Sequence, residues 1–123
     1  MDLAGAVEEA LHESGVTWRR VAPSEWGATV PCGGWALDIG LAERGGMLAA
    51  QAEVVGPDAV SEFELLRRNR TLRLVRFSVT AAGAVYVQGE LPEGAVTVVE
   101  VDRLLGLVVD AAEELRVAVG DAP

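Results

Sequence analysis

The sequence predicts an α+β fold, an antiparallel twisted sheet with three helices in the order α-β-β-β-β-α-β-β-α. The central hairpin carries the sheet. Trp35, Leu37, Ile39 and Leu41 alternate with Ala36, Asp38, Gly40 and Ala42, and the return over Met47–Val55 puts Leu48, Ala50, Ala52 and Val54 on one face. Glu43-Arg44-Gly45-Gly46 between them has hairpin chemistry and is too short for a parallel crossover. The last helix is equally well marked. Thr97-Val98-Val99-Glu100 has capping-box spacing, and Val101, Leu104, Leu105, Val108, Ala112, Leu115 and Val119 form one stripe of 3.6-residue period that stops at Gly120.

The other elements follow in order. Asp2 caps a first helix whose apolar residues are Leu3, Ala6, Val7, Ala10 and Leu11, and Gly15 ends it in the left-handed conformation. Glu8, Glu9, His12 and Glu13 fall largely outside its stripe. Strands over Thr17–Val21 and Trp26–Val30 flank the breaker Pro23-Ser24, and Pro31-Cys32-Gly33-Gly34 reads as a turn. After Gly56-Pro57, Asp58 caps a second helix with Val60, Phe63, Leu66 and Arg70 in register. A second hairpin pairs Val75, Phe77 and Val79 with Val85, Val87 and Leu91 through a turn at Thr80–Gly83, and Pro92-Glu93-Gly94 closes it.

At 123 residues the chain has the length of a single domain, taken here as 1–123. A net charge of −9 argues against nucleic acid as a partner, because phosphate binding needs a basic surface. All ten basic residues are arginine, so no lysine is available for Schiff-base chemistry. A single cysteine suits a reducing compartment. Acids at Asp2, Glu8 and Glu9 replace the basic start of a signal peptide, and no apolar run approaches the ~20 residues that span a bilayer. The expectation is a cytoplasmic protein with no membrane contact.

The residues for catalysis are missing. His12 is the only histidine, on an exposed helix face, and Cys32 is expected in a turn with no arginine near enough to lower its pKa. One histidine and one cysteine do not make a metal site. Glu8-Glu9 and Glu113-Glu114 are neighbours on helices, so their side chains diverge into solvent. Gly33-Gly34 and Gly45-Gly46 lack the spacing of phosphate loops. The expectation is that the protein is not an enzyme and has no cofactor and no metal.

Two features suggest a partner surface instead. Arg67, Arg68, Arg70, Arg73 and Arg76 are half of all the cations, within ten residues that contain no acid. Setting these five aside from −9 leaves the rest of the chain at −14. They are either a solvated helix end helping its dipole or a basic patch for an acidic partner surface. On the last helix, Leu107 and Val117 project among Arg103, Asp110, Glu113 and Glu114, with Val109 at the edge of the main stripe. They are either ordinary exposed apolar residues or a face that a dimer or a partner helix covers. Trp18, Trp26 and Trp35 belong to the core or its edge, and any one left exposed would be a binding anchor.

The second half has a familiar cadence. Phe63-Glu64-Leu65-Leu66-Arg67-Arg68-Asn69-Arg70, Val75-Arg76-Phe77-Ser78-Val79, the turn to Gly83, Val85-Tyr86-Val87, Glu90-Leu91-Pro92 and the long helix with Leu104-Leu105, Asp110-Ala111-Ala112 and Glu114-Leu115 resemble the YbjN family of bacterial sensory transduction regulators. The resemblance covers Asp58 to Val119 well and the first half by element order. It implies the fold of the class I type III secretion chaperones, three helices on a twisted antiparallel sheet, usually dimeric. It also implies a protein-binding or regulatory role without catalytic residues. The expected function is therefore a chaperone-like or regulatory homodimer that holds a segment of an unknown protein client. The alternative is a small-molecule-binding regulatory domain with a pocket between sheet and helices.

Overall fold

The computed structural model describes residues 1–120; Asp121, Ala122 and Pro123, the end of the expected 1–123 domain, lie outside the described residues. The elements are α1 (Leu3–Ser14), β1 (Thr17–Ala22), β2 (Glu25–Cys32), β3 (Trp35–Arg44), β4 (Met47–Val55), α2 (Glu62–Asn69), β5 (Val75–Val79), β6 (Val85–Pro92) and α3 (Val98–Val119), with a single 3-10 turn at Glu93–Ala95. This is the expected α+β order. All strand pairs are antiparallel, and the sheet runs β1-β2-β3-β4-β6-β5.

Local chemistry sets the element ends. The Asp2 carboxylate accepts from the Gly5 N–H at 2.7 Å, and the Thr97 hydroxyl accepts from the Glu100 N–H at 3.2 Å, so the first turns of α1 and α3 are capped. Gly15 and Gly120 end these helices with φ of 73° and 74°. Gly45 and Gly46 turn β3 into β4 with φ of 57° and 78°, the pair of positive values that a tight hairpin needs.

The pleat then sorts the side chains. Leu37, Ile39 and Leu41 of β3 and Leu48, Ala50, Ala52 and Val54 of β4 point to one face and are buried there. Helix α3 lies across that face against β2, β4, β5 and β6, and α1 packs on α3. The core is continuous from Val7 and Leu11 through the sheet to Val101, Leu104, Val108 and Leu115. Among the described residues no helix covers the opposite face, which carries Thr29, Asp38, Gly40, Gln51, Gln88 and Arg76.

Three expectations need correction. The turn expected at Pro31–Gly34 is only Gly33-Gly34, because β2 continues through Pro31 and Cys32, which pair with Ala36 and Trp35. Helix α2 is capped by Ser61 rather than Asp58; the Ser61 hydroxyl accepts from the Glu64 N–H at 3.1 Å, and Asp58 takes a left-handed φ of 65°. The face of α2 is also rotated. Leu65 is buried, whereas the expected core residues Phe63 and Leu66 are 71% and 68% exposed. A helix of 8 residues offers two stripes of similar hydrophobicity, and packing on β5 selected the one through Leu65 and Asn69.

Candidate protein-binding surfaces

Asn69 sets the position of α2. Its Oδ1 accepts from the Phe77 N–H at 2.7 Å, and its Nδ2 donates to the Phe77 carbonyl at 3.1 Å. One side-chain amide thus satisfies both backbone groups of Phe77 as a neighbouring strand would, at an outer edge of the sheet. Leu65 is buried beneath the helix, and Leu66 shares a surface depression with Val79, itself 40% exposed. The result is an uncovered apolar corner of Phe63, Leu66 and Val79. Glu62 stands at its N-terminal end, and Arg67 and Arg70 at its C-terminal end.

The five clustered arginines separate in three dimensions. Arg67 and Arg70 line the outer side of α2 with Phe63 and Leu66. Arg68 turns back to Glu64, one helical turn away, at 3.1 Å. Arg73 shares a depression with Leu107, Asp110, Glu113 and Glu114 of α3. Arg76 lies on the helix-free face and donates to Glu90 at 2.9 Å. The apolar candidates of α3 also diverge: Leu107 is half-buried beside Arg73, Val109 is half-buried in a second groove, and Val117 is 69% exposed.

That second groove lies between α1, α3 and strands β2 and β3. Leu11, Val16, Val30, Ile39 and Val109 make its apolar floor, Asp102 and Asp110 stand on its rim, and its volume is about 310 Å³. Gly106 lies between the two aspartates on α3.

The tryptophans serve mainly as core. Trp26 is 2% exposed, and Trp18 and Trp35 are half-buried. Glu8 is not a solvated residue, as its spacing had suggested. Its carboxylate accepts from Trp26 Nε1 at 2.9 Å and pairs with Arg20 at 3.4 Å, while Arg20 lies 5.4 Å from the Trp26 ring centroid. This ties α1 to the β1–β2 hairpin.

Arg116, which played no part in the sequence reading, is 2% exposed. Its Nε donates to the Val54 carbonyl at 2.8 Å, and Nη1 donates to the carbonyls of Cys32, Trp35 and Ala36 at 2.9, 3.1 and 3.3 Å. Nη2 reaches the Glu53 carbonyl at 3.4 Å, and the guanidinium carbon stacks 3.2 Å from the Trp35 ring centroid. Burial pulls this guanidinium below its ordinary pKa. Cys32 therefore does have an arginine beside it, contrary to expectation. Burial nevertheless pushes the thiol pKa up, against the opposing charge of Arg116, and the Sγ lies 3.6 Å from the Val109 carbonyl. A buried thiol held protonated is a poor nucleophile.

His12 is exposed, and among the described residues no three His, Cys, Asp or Glu side chains converge on a metal-sized site. No described helix is long and apolar enough to cross a membrane. What the arrangement offers is surface: an apolar corner with split charge on α2, and an apolar groove with an acidic rim on α3.

Comparisons agree with this fold. A family model described as "Putative bacterial sensory transduction regulator" matches residues 4–120. No curated protein matches the sequence. Among solved structures, the chain is similar to the Yersinia pestis type III secretion chaperone SycH complexed with a fragment of YscM2, at 16% identity and a TM-score of 0.65 over 92% of this chain and 98% of that one. A chain of the ExoU–SpcU complex from the type III secretion system of Pseudomonas aeruginosa aligns at 16% identity and a TM-score of 0.67, covering 88% and 93%. A chain of the ExsC–ExsE complex aligns at 18% identity and 0.62, covering 97% of both. At such identities the likeness is one of fold.

Proposed function

The chain belongs to the YbjN family, and on that premise we propose that it is a non-catalytic, cytoplasmic protein-binding domain, chaperone-like or regulatory, that works as a homodimer and holds a segment of a partner protein. The observation that carries the reading is the uncovered corner of α2. Phe63 and Leu66 are 71% and 68% exposed on a helix otherwise fixed by Leu65 and Asn69.

The charges on that corner suit a second copy. Glu62, Leu66 and Arg70 follow one another at four-residue spacing, on one side of the helix. A twofold axis at Leu66, with two α2 helices antiparallel, sets Glu62 of each copy against Arg70 of the other and packs Phe63 and Leu66 between them. Such a contact is isologous and closes at two copies. The α1–α3 grooves lie toward the β2 end of the sheet, away from β5, and stay open in the dimer for a partner segment.

Light scattering on the eluting protein is the test. The expected mass is that of a dimer, and Leu66→Glu should shift it to the monomer while far-UV circular dichroism is unchanged. A monomer at tens of micromolar, or a dimer indifferent to Leu66→Glu and Phe63→Ser, would overturn the α2 interface.

A second reading is a small-molecule-binding regulatory domain, favoured by the groove itself. It lies between sheet and helices and has a volume typical of the low end of ligand sites. Thermal-shift measurements against a metabolite panel separate the two, since a ligand for the native state raises its apparent stability.

A further inference from the structure

We propose that the α1–α3 groove receives a basic amphipathic helix of the partner, laid along α3, and that Gly106 is glycine in order to let that helix approach. The proposal rests on the protein-binding reading and specifies the chemistry of the segment bound.

Gly106 is the starting point. It sits inside the 22-residue α3, where glycine is less favourable than alanine because it leaves more backbone freedom to lose. Nothing among the described residues requires it, since a Cβ built there would meet none of their atoms within 4 Å. Contrast Gly89, where an added Cβ would lie 2.8 Å from the Leu74 carbonyl and 3.0 Å from Leu104. Gly89 is needed by internal packing; Gly106 is not. A bare backbone in the middle of an exposed helix side is accounted for by something that comes close from outside. Without a side chain at the contact, two helices can pack toward the short end of the usual 8–10 Å separation.

The surroundings define what comes close. Asp102 and Asp110 lie one turn before and one turn after Gly106, on the same side of α3, and both are exposed. Among the described residues neither is in an ion pair; Arg103, the nearest cation on the helix, pairs with Glu100 at 3.6 Å. Beside this column the groove floor is apolar, built from Leu11, Val16, Val30 and Val109. Eight residues of helix set the carboxylates about 12 Å apart. A partner helix with Lys or Arg at positions i and i+8 and Leu at i+4 matches that column: the apolar residue enters the groove beside Gly106, and the cations meet the two aspartates. Acidic or uncharged segments would lack this match.

The test uses the full chain and two capped helical peptides of equal length, one with Lys at i and i+8 around Leu at i+4, the other with Glu in place of each Lys. Affinities are read by fluorescence anisotropy at physiological salt. The Lys peptide is expected to bind one per protomer and the Glu peptide not to bind. Gly106→Leu puts a side chain into the contact, and its Cβ meets no atom of the described chain within 4 Å. It should lower affinity at least tenfold while the thermal midpoint holds or rises. Asp102→Asn with Asp110→Asn should also lower it about tenfold, whereas Glu113→Gln with Glu114→Gln, which removes the same charge elsewhere on α3, should leave it within twofold.

Equal losses from both charge pairs, or no loss from Gly106→Leu, would overturn the proposal and reduce the binding to attraction between a cation and a protein of net charge −9. Failure of the Lys peptide alongside one-to-one binding of a small aromatic amine, blocked by Gly106→Leu, would overturn it in favour of a small-molecule groove. Either failure is distinct from failure of the α2 dimer, because the mass by light scattering reads the dimer and none of these variants touches α2.

Discussion

Arg116 brings a positive charge into the core, where it meets backbone carbonyls of β2, β3 and β4 and an aromatic ring instead of a carboxylate. The guanidinium fork spans carbonyls on both sides of the helix end, which a single ammonium does not do. Arg116→Met keeps most of the bulk but leaves carbonyls without donors, and should cost about 3 kcal/mol, seen as a lower urea midpoint at unchanged slope. Arg116→Lys should recover less than half of that loss. The neighbouring thiol makes a pH prediction. Burial raises the Cys32 pKa above its ordinary 9.0, so the folded state holds its proton more tightly than the unfolded chain does. Its contribution is therefore complete below pH ~9 and lost as pH rises through the folded value. Stability of the native chain should fall from about pH 9 upward, and Cys32→Ala should flatten that part of the curve. Arg116 was missed in the sequence because the stripe on the last helix was traced through apolar residues alone. The signal was present: it falls four residues after Ala112, in line with the buried positions.

The same difficulty affects whole elements according to their length. Helix α3, with 22 residues, shows several turns of period and a capping pattern, so its stripe can be read directly. Helix α2 has 8 residues and barely two turns, and its two candidate faces differ only by whether β5 receives Leu65 or Leu66. That choice is tertiary. Asn69 makes it visible afterwards, since its amide joins Phe77 at the sheet edge. Asn69→Ala should cost about 1–2 kcal/mol, because it leaves a strand N–H and carbonyl unpaired. It should also expose a strand edge, so concentration-dependent aggregation should rise, measurable as scattering during a thermal ramp. Asn69→Asp keeps the acceptor for the Phe77 N–H but sets a carboxylate against its carbonyl, and should fall between native and Asn69→Ala near neutral pH. The basic run suffered similarly from a flat reading: adjacency from Arg67 to Arg76 in sequence became separate destinations on α2, on the helix-free face and beside α3.

At the scale of the molecule, the fold class and element order were readable because hairpin turns and caps are local chemistry. Which surfaces stay uncovered was not, because it depends on how three helices share one face of a sheet. The proposed α2 dimer permits a charge-exchange experiment. Glu62→Arg or Arg70→Glu alone should weaken self-association about tenfold by placing like charges across the twofold, and the two together should restore most of it. Raising salt should reduce both effects. Failure of the double variant to recover would exclude the antiparallel register while leaving other dimers open. The Arg116 clamp has a further consequence, in the order of events during synthesis. Its bond to Cys32 spans 84 residues and its bond to Val54 spans 62. Hairpins β1–β2 and β3–β4 close locally as they emerge, but the carbonyls at their ends wait for a side chain made much later. A nascent chain that stops before residue 116 should therefore have its strands paired yet remain open to proteases at the Gly33 turn, and protection there should appear in one step once α3 is complete.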